Sequence, residues 1–288
     1  MEITDVRTII VGNPWKNWVI VRLETDEGVH GLGEATGLTA RAPAAEVEEL
    51  RRFVVGMDPR EPVRLFERMF KGVFLQNLAG MCGIEIACWD VLGKVTGQPL
   101  WRLLGGRTQG RLRAYANGWY RCPREPGAFA EKALAVKEMG YTALKFDPFG
   151  TAYLNLGPAE ERLSLSLVRA VREAVGEEVD ILIEGHDRFN AATALRLGRA
   201  LAEFGPLWFE TPVNSQDVRA TAELARAMPV PVASGERLRY LSQFADLLAP
   251  RTVSIVQPEA LHCGGVSGVM RVAALAQAHG AVVACHQA

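Results

Sequence analysis

Asp180-Ile181-Leu182-Ile183-Glu184, Leu207-Trp208-Phe209-Glu210 and Val232-Ala233-Ser234-Gly235-Glu236 are three short apolar runs, each ending in a glutamate. The glutamates are spaced at equal intervals of 26 residues. A run that buries itself as a strand seldom ends in a carboxylate, and a single strand-end glutamate is usually a solvated rim residue. Three of them, one repeat unit apart, put three acids on one rim of one parallel sheet. Three oxygen ligands on one rim suit a hard divalent cation such as Mg2+.

Around these runs the chain alternates. β-rich segments at 112–116, 143–147, 180–185, 207–210, 231–235, 253–257 and 281–285 are separated by helical patterns at 128–139, 163–175, 191–204, 218–228 and 266–279. Strand–helix alternation with short connections implies parallel βαβ units. The third to seventh strands recur about every 25 residues, the period of a TIM-type (β/α) barrel. Upstream, residues 6–11 and 18–25 are β-rich, and Asp26-Glu27-Gly28 turns the chain into 29–34, which makes a meander. Helical spacing follows at 44–55, 62–70 and 84–95, and Gln98-Pro99-Leu100 with Gly105-Gly106 breaks it. The fold class is therefore α/β, with an N-terminal α+β domain over residues 1–110 and a (β/α) barrel over 111–288. Only seven barrel strands can be counted, so the last strand of an eight-stranded barrel is expected to be missing from this chain. The absent part would be on the order of 50–100 residues.

Composition sets the outer limits. The chain has 288 residues, 49% hydrophobic and 23% charged, with a net charge of −1. That is an ordinary globular composition with no electrostatic footprint for nucleic acid or an anionic membrane. No apolar stretch approaches the roughly 20 residues that span a bilayer, and the acidic N-terminus Met1-Glu2-Ile3-Thr4-Asp5 does not resemble a signal peptide. Five cysteines, with no C-x-x-C pair, argue against a disulfide framework or structural zinc and fit a reducing cytoplasm. Cys88 is expected to pack as a small hydrophobe.

In a barrel of this type the active groups sit at the C-terminal ends of the strands. Those ends carry Lys145 and Asp147, then Glu184 and His186, then Glu210, then Glu236, then Glu259 after Gln257-Pro258, and finally His286. A cation held by Glu184, Glu210 and Glu236 would bind a substrate carboxylate and stabilise the enediolate left when the α-proton departs. The base for that step must titrate near neutrality, and histidine does. Glu259 is placed to hold the Nδ1–H of His286. Lys145 faces either the substrate carboxylate or the neighbouring acids. His279 is expected to cap the C-terminus of a helix, His262 to be second-layer or exposed, and His30 to lie at the surface. Gly264-Gly265 is read as tight packing before a helix.

In order, Lys145-x-Asp147, Glu184-x-His186, Trp208-Phe209-Glu210-x-Pro212, Gly235-Glu236, Gln257-Pro258-Glu259, Gly264-Gly265 and His286 resemble the enolase superfamily, of the mandelate racemase/muconate lactonizing enzyme type. Use of a Lys or His base with Mg2+ is a property of that superfamily. The resemblance implies that the N-terminal region is its capping domain, with residues 85–94 as the cap helix. The segments 115–120, 143–150 and 180–190 are similar to gluconate/galactonate dehydratases. That similarity implies loss of water from a sugar acid to give a 2-keto-3-deoxy acid, with Glu184, Glu210 and Glu236 as metal ligands. It further implies His186 as a catalytic histidine and His286 with Glu259 as a dyad. Asp147 stands where the subgroup often has a second lysine, which disfavours a two-base racemase. The expected partner is a small sugar acid, with no nucleic acid and no membrane, and the protein is expected to be a cytoplasmic homo-oligomer. Specificity would come from residues 11–17 and 74–77. The alternatives are a dehydratase for another sugar acid, an epimerase of the same superfamily, or an inactive fragment or binding protein.

Overall fold

The computed structural model describes residues 1–13, 16–37, 39–73 and 78–287. Residues 74–77, with Pro14 and Trp15 of the other proposed specificity segment, lie outside the described residues. The chain opens with an antiparallel meander of β1 (Ile3–Gly12), β2 (Asn17–Thr25) and β3 (His30–Glu34). Val6, Val19, Val21 and Leu23 turn one face of it inward and are fully buried. Helices α1 (Arg41–Val54), α2 (Pro62–Gly72) and α3 (Ala79–Thr96) cover that face. β3 lies directly on α3. A Cβ at Gly31 would come within 2.1 Å of the Ala87 carbonyl, and one at Gly33 within 2.0 Å of the Gly83 carbonyl. This close approach explains the glycines of His30-Gly31-Leu32-Gly33-Glu34. Cys88 is buried in the same core, as its sequence context suggests.

After a single turn, α4 (Leu100–Leu103), the chain enters a parallel sheet whose strands keep their sequence order. These are β4 (Ala143–Phe146), β5 (Asp180–Glu184), β6 (Trp208–Glu210), β7 (Val232–Ser234), β8 (Ile255–Val256) and β9 (Val282–Val283). Helices α5 (Pro126–Glu138), α6 (Pro158–Val175), α7 (Ala191–Leu201), α8 (Val218–Ala227), α9 (Leu241–Leu248) and α10 (Gly265–His279) accompany it. Three helices, α2, α5 and α6, begin with proline, whose missing N–H costs nothing at a helix start. The arrangement is a curled, TIM-type half-barrel of six strands.

The 112–116 segment does not form the strand expected of it. Its only ladder contact is at Ala116, whose N–H donates to the Ala143 carbonyl at 2.9 Å and whose carbonyl accepts from Lys145 N at 2.8 Å. Leu112 is 86% exposed, and Arg113 bonds outward to Thr142 and Asp180, so this stretch buries too little to extend the ladder. α9 was not anticipated from the sequence.

The two faces of the sheet differ. Phe146, Ile181, Ile183, Phe209 and Val232 pack outward against Phe129, Ala133, Leu167, Val171 and Leu197 of the helices. Ala143, Leu182, Trp208 and Ala233 form a smaller inner cluster with Tyr115, Ile255 and Ala284. Strand side chains alternate, so the next inner positions are Lys145, Glu184, Glu210, Gln257 and His286. The inner face thus changes from apolar to polar at the C-terminal ends.

Candidate active site

Glu184 and Glu210 are register partners at the ends of β5 and β6. Glu210 also pairs with Ala233, which leaves Glu236 three residues further on, past the end of β7. Gly235, at φ +130°, redirects the chain in between and brings Glu236 back toward the other two. One ligand oxygen from each of the three buried glutamates lies within 4.8 Å of the others. Each carboxylate is held. Glu184 Oε1 accepts from the Thr211 hydroxyl and the His186 N–H, both at 2.8 Å, and Glu210 Oε2 accepts from Trp208 Nε1 at 2.9 Å.

Of its two suggested partners, Lys145 faces the neighbouring acids. Its Nζ is 3.0 Å from Glu184 Oε2, pairs with Glu210 Oε1, and lies 5.7 Å from the Tyr115 ring centroid. Burial works against the ammonium, but Glu184 and Glu210 outweigh it and its pKa is raised. Burial and the neighbouring Glu184 push the Glu210 carboxyl up to about 7, against Lys145. Glu184 is also penalised by burial, yet Lys145 dominates and its pKa is lowered. Glu184 and Glu210 therefore share one ammonium, and the surplus negative charge between them favours a proton on Glu210. A divalent cation would relieve the same surplus, and an all-oxygen donor set is the kind that Mg2+ or Mn2+ takes.

Two histidines flank the cluster, with three strands between the ones they follow. After β9, His286 Nδ1 lies 2.9 Å from Glu259 Oε2 and its Nε2 lies 3.1 Å from Glu236 Oε2. After β5, His186 Nδ1 lies 2.7 Å from Asp147 Oδ2. Arg188 fixes Asp147 from behind through a guanidinium contact to the same oxygen, and bonds the Gly185 and Gly150 carbonyls at 3.0 and 2.6 Å. Burial lowers both imidazole pKa values, but the carboxylates prevail and both are raised. For His286 these are Glu259 and Glu236, and for His186 they are Asp147 and Glu184.

All seven residues singled out from the sequence thus converge on one rim. Sequence reasoning left the role of Asp147 open and did not find Arg188 as its support. Gln257, which the glutamate spacing does not single out, is fully buried, and its amide N and O have no hydrogen-bond partner among the described residues. Period-two alternation from Ile255 would have pointed to it. The remaining histidines take quieter places. His262 Nδ1 lies 3.4 Å from the Glu236 carbonyl, His279 Nδ1 lies 2.9 Å from the Leu275 carbonyl at the end of α10, and His30 is half-buried at the start of β3.

Gly264-Gly265 does mark tight packing. Glu85 of α3 is fully buried and accepts from Val266 N at 2.9 Å, Ser267 N at 3.0 Å, Ser267 Oγ at 2.6 Å and Trp89 Nε1 at 2.8 Å. A Cβ at Gly265 would lie 1.9 Å from Glu85 Oε2. The N-terminal layer thus caps α10, the helix that follows the Glu259 loop. No helix among the described residues is long and apolar enough to cross a membrane.

Comparison with known proteins agrees with this architecture. Residues 128–288 match the family model described as enolase C-terminal domain-like, and residues 8–105 match the mandelate racemase / muconate lactonizing enzyme N-terminal domain. A D-gluconate dehydratase of Thermoproteus tenax is 36% identical over 95% of this chain, which spans 56% of that relative's length. A D-gluconate/D-galactonate dehydratase of Picrophilus torridus is 33% identical over 96% of this chain and 72% of its own. The crystal structure of a mandelate racemase/muconate lactonizing enzyme-like protein from Roseovarius sp. TM1035 superposes with a TM-score of 0.91 at 36% identity, covering 99% of this chain and 78% of that one. With its two-layer N-terminal sheet and helices, its curled parallel sheet and three glutamates on one rim, the chain belongs to the enolase superfamily, of the mandelate racemase/muconate lactonizing enzyme type.

Proposed function

We propose that this chain carries the catalytic rim of a Mg2+-dependent hydro-lyase acting on a sugar acid of the gluconate or galactonate kind. The observation that carries the proposal is the pair of imidazoles, each held at Nδ1 by a carboxylate, on either side of the three-glutamate cluster. The relatives named as D-gluconate and D-galactonate dehydratases support the substrate class.

Glu184, Glu210 and Glu236 would hold Mg2+. When bound, the ion supplies Lewis-acid stabilisation for negative charge that develops on substrate carboxylate oxygens. Lys145 neutralises Glu184 and Glu210 and keeps them together. Glu259 holds Nδ1–H of His286, and with Glu236 turned to the cation rather than to the ring, Nε2 would be free to take the proton from C2. Asp147 orients His186 in the same way, which places the ring to give a proton to the departing 3-hydroxyl. The C2–H and C3–O bonds break, a C2–C3 double bond forms, and water leaves with the proton from His186. The resulting enol tautomerises to the 2-keto-3-deoxy acid.

The direct test is incubation of the purified protein with D-gluconate, D-galactonate and a panel of other sugar acids in Mg2+. Keto-acid formation is the expected product. Solvent deuterium uptake at C2 with no keto acid from any substrate would instead identify an epimerase.

A further inference from the structure

The loops after the three glutamate strands meet at one buried carboxylate that the chemistry above does not use. Asp187 stands three residues past Glu184, and its side chain is 6% exposed. Its Oδ1 accepts from Ser215 N at 3.1 Å and its Oδ2 from the Ser215 hydroxyl at 2.9 Å. Ser215 belongs to the loop after Glu210. Arg237 Nε lies 3.2 Å from the same Oδ2, and Arg237 directly follows Glu236. The Asp187 N–H donates to the Thr211 carbonyl at 2.8 Å, and Thr211 in turn bonds Glu184. One side chain of the loop after β5 therefore touches the loops that follow β6 and β7.

The backbone is strained at this junction. His186, Asp187 and Thr211 sit at φ +50°, +58° and +36°. Such conformations are unfavourable for residues with a side chain and persist only where surrounding contacts enforce them. Arg237 is poised between two acids, since Nε also lies 3.4 Å from Glu236 Oε1. Asp187 keeps that guanidinium shared, and without the Asp187 charge Glu236 is its remaining partner in this contact. A guanidinium drawn fully onto Glu236 would compete with a cation for the same oxygen.

We infer that Asp187 is a positioning residue for the divalent-cation site. It gathers the three ligand loops and holds Arg237 off Glu236. The inference rests on the metal-site reading above, and the experiment separates the two. Mn2+ affinity is measured by calorimetry and by the free-ion paramagnetic resonance signal, at a temperature where near-ultraviolet circular dichroism shows each variant folded. Asp187→Asn is expected to weaken Mn2+ binding by roughly 10–100-fold, the usual effect of removing a group that orients metal ligands. Asp187→Asn combined with Arg237→Gln should recover most of that loss, because the competing cation is gone. Ser215→Ala, which keeps the charge pair, should weaken binding less than Asp187→Asn. A merely structural role would lower the unfolding temperature and leave Mn2+ affinity in the folded variants unchanged, and that result overturns the inference. Absence of Mn2+ binding by the unmodified protein would overturn the metal site itself.

Discussion

His286 and Glu259 are 27 residues apart in sequence and 2.9 Å apart in space, imidazole Nδ1 to carboxylate Oε2. Two parallel strand ends create the contact, and a backbone bridge joins the same two residues. An imidazole anchored at Nδ1 has one ring nitrogen left for proton transfer, and its charged form is stabilised as it accepts the proton. Glu259→Gln keeps the shape and removes the charge. Turnover is expected to fall by roughly 10²–10⁴, the usual weight of a general base. Deuterium incorporation at C2 should fall in parallel, and His286→Asn should abolish it. Undiminished exchange in the histidine variant would sink the base role.

The two histidines should be separable by experiment. His186 acts after the α-proton has left, so His186→Asn is expected to stop keto-acid formation while C2 exchange with solvent continues. Asp147→Asn should give the same uncoupling in milder form, because the ring keeps its place but loses the ion pair. Proton NMR in deuterated solvent beside a keto-acid assay reads both steps. Equal loss of both reactions in His186→Asn would reassign it to the base.

Calorimetric titration with Mg2+ tests the glutamate cluster. Glu210→Gln preserves volume and the Trp208 contact but removes one anionic oxygen ligand. Mg2+ affinity should drop by at least about tenfold. The rise in unfolding temperature that Mg2+ gives the unmodified protein should shrink with it. A variant with unaltered affinity would contradict the site.

Gly265→Ala tests how tightly the N-terminal layer is joined to the barrel. The added methyl would sit 1.9 Å from a carboxylate oxygen of Glu85, at a backbone φ of +69°. Overpacking and left-handed strain together should cost about 2–4 kcal/mol. Urea unfolding should show a lower midpoint. Glu85→Ala in the same background should relieve the clash without restoring the lost cap, so the two losses should not add.

Glu46 gives a pH-dependent prediction away from the site. Burial pushes its carboxyl from the ordinary 4.5 up to about 7, against a 2.9 Å hydrogen bond from Gly80 N and the charge of Arg239. Between those two values the folded chain binds more protons than the unfolded one, so stability falls as pH rises. The contribution is fully present below 4.5 and is lost as pH passes 7. Glu46→Gln should therefore raise the unfolding temperature at pH 8 by roughly 2–4 °C, about 1 kcal/mol in a chain of this size, because water screens the half-buried group. At pH 4 the two proteins should unfold together.

Most strands and helices were legible because their burial pattern is local. Apolar runs such as Ile181-Leu182-Ile183 are covered on both faces, and α6 and α10 carry helical spacing along their length. The misses share a cause. The 112–116 run has β-rich residues but pairs only at Ala116, and α9 has eight residues, too few to show a period. Gln257 and Arg188 have no local signature, because what matters about them is a neighbour from another strand.

By itself the sequence determined which residues could reach one rim. Strand side chains alternate and parallel strands share a direction, so a residue at a strand end must project at the C-terminal edge. The tertiary structure decided how those residues meet. The equal 26-residue intervals conceal unequal register, since Glu184 pairs with Glu210 but Glu210 pairs with Ala233. Glu236 rejoins the cluster only because Gly235 turns the chain at φ +130°. Lys145 likewise faces the acids rather than open solvent because the inner face of the curled sheet closes around it. Spacing along a chain counts residues, whereas ligand geometry depends on register and curvature, and these form only when the strands pair.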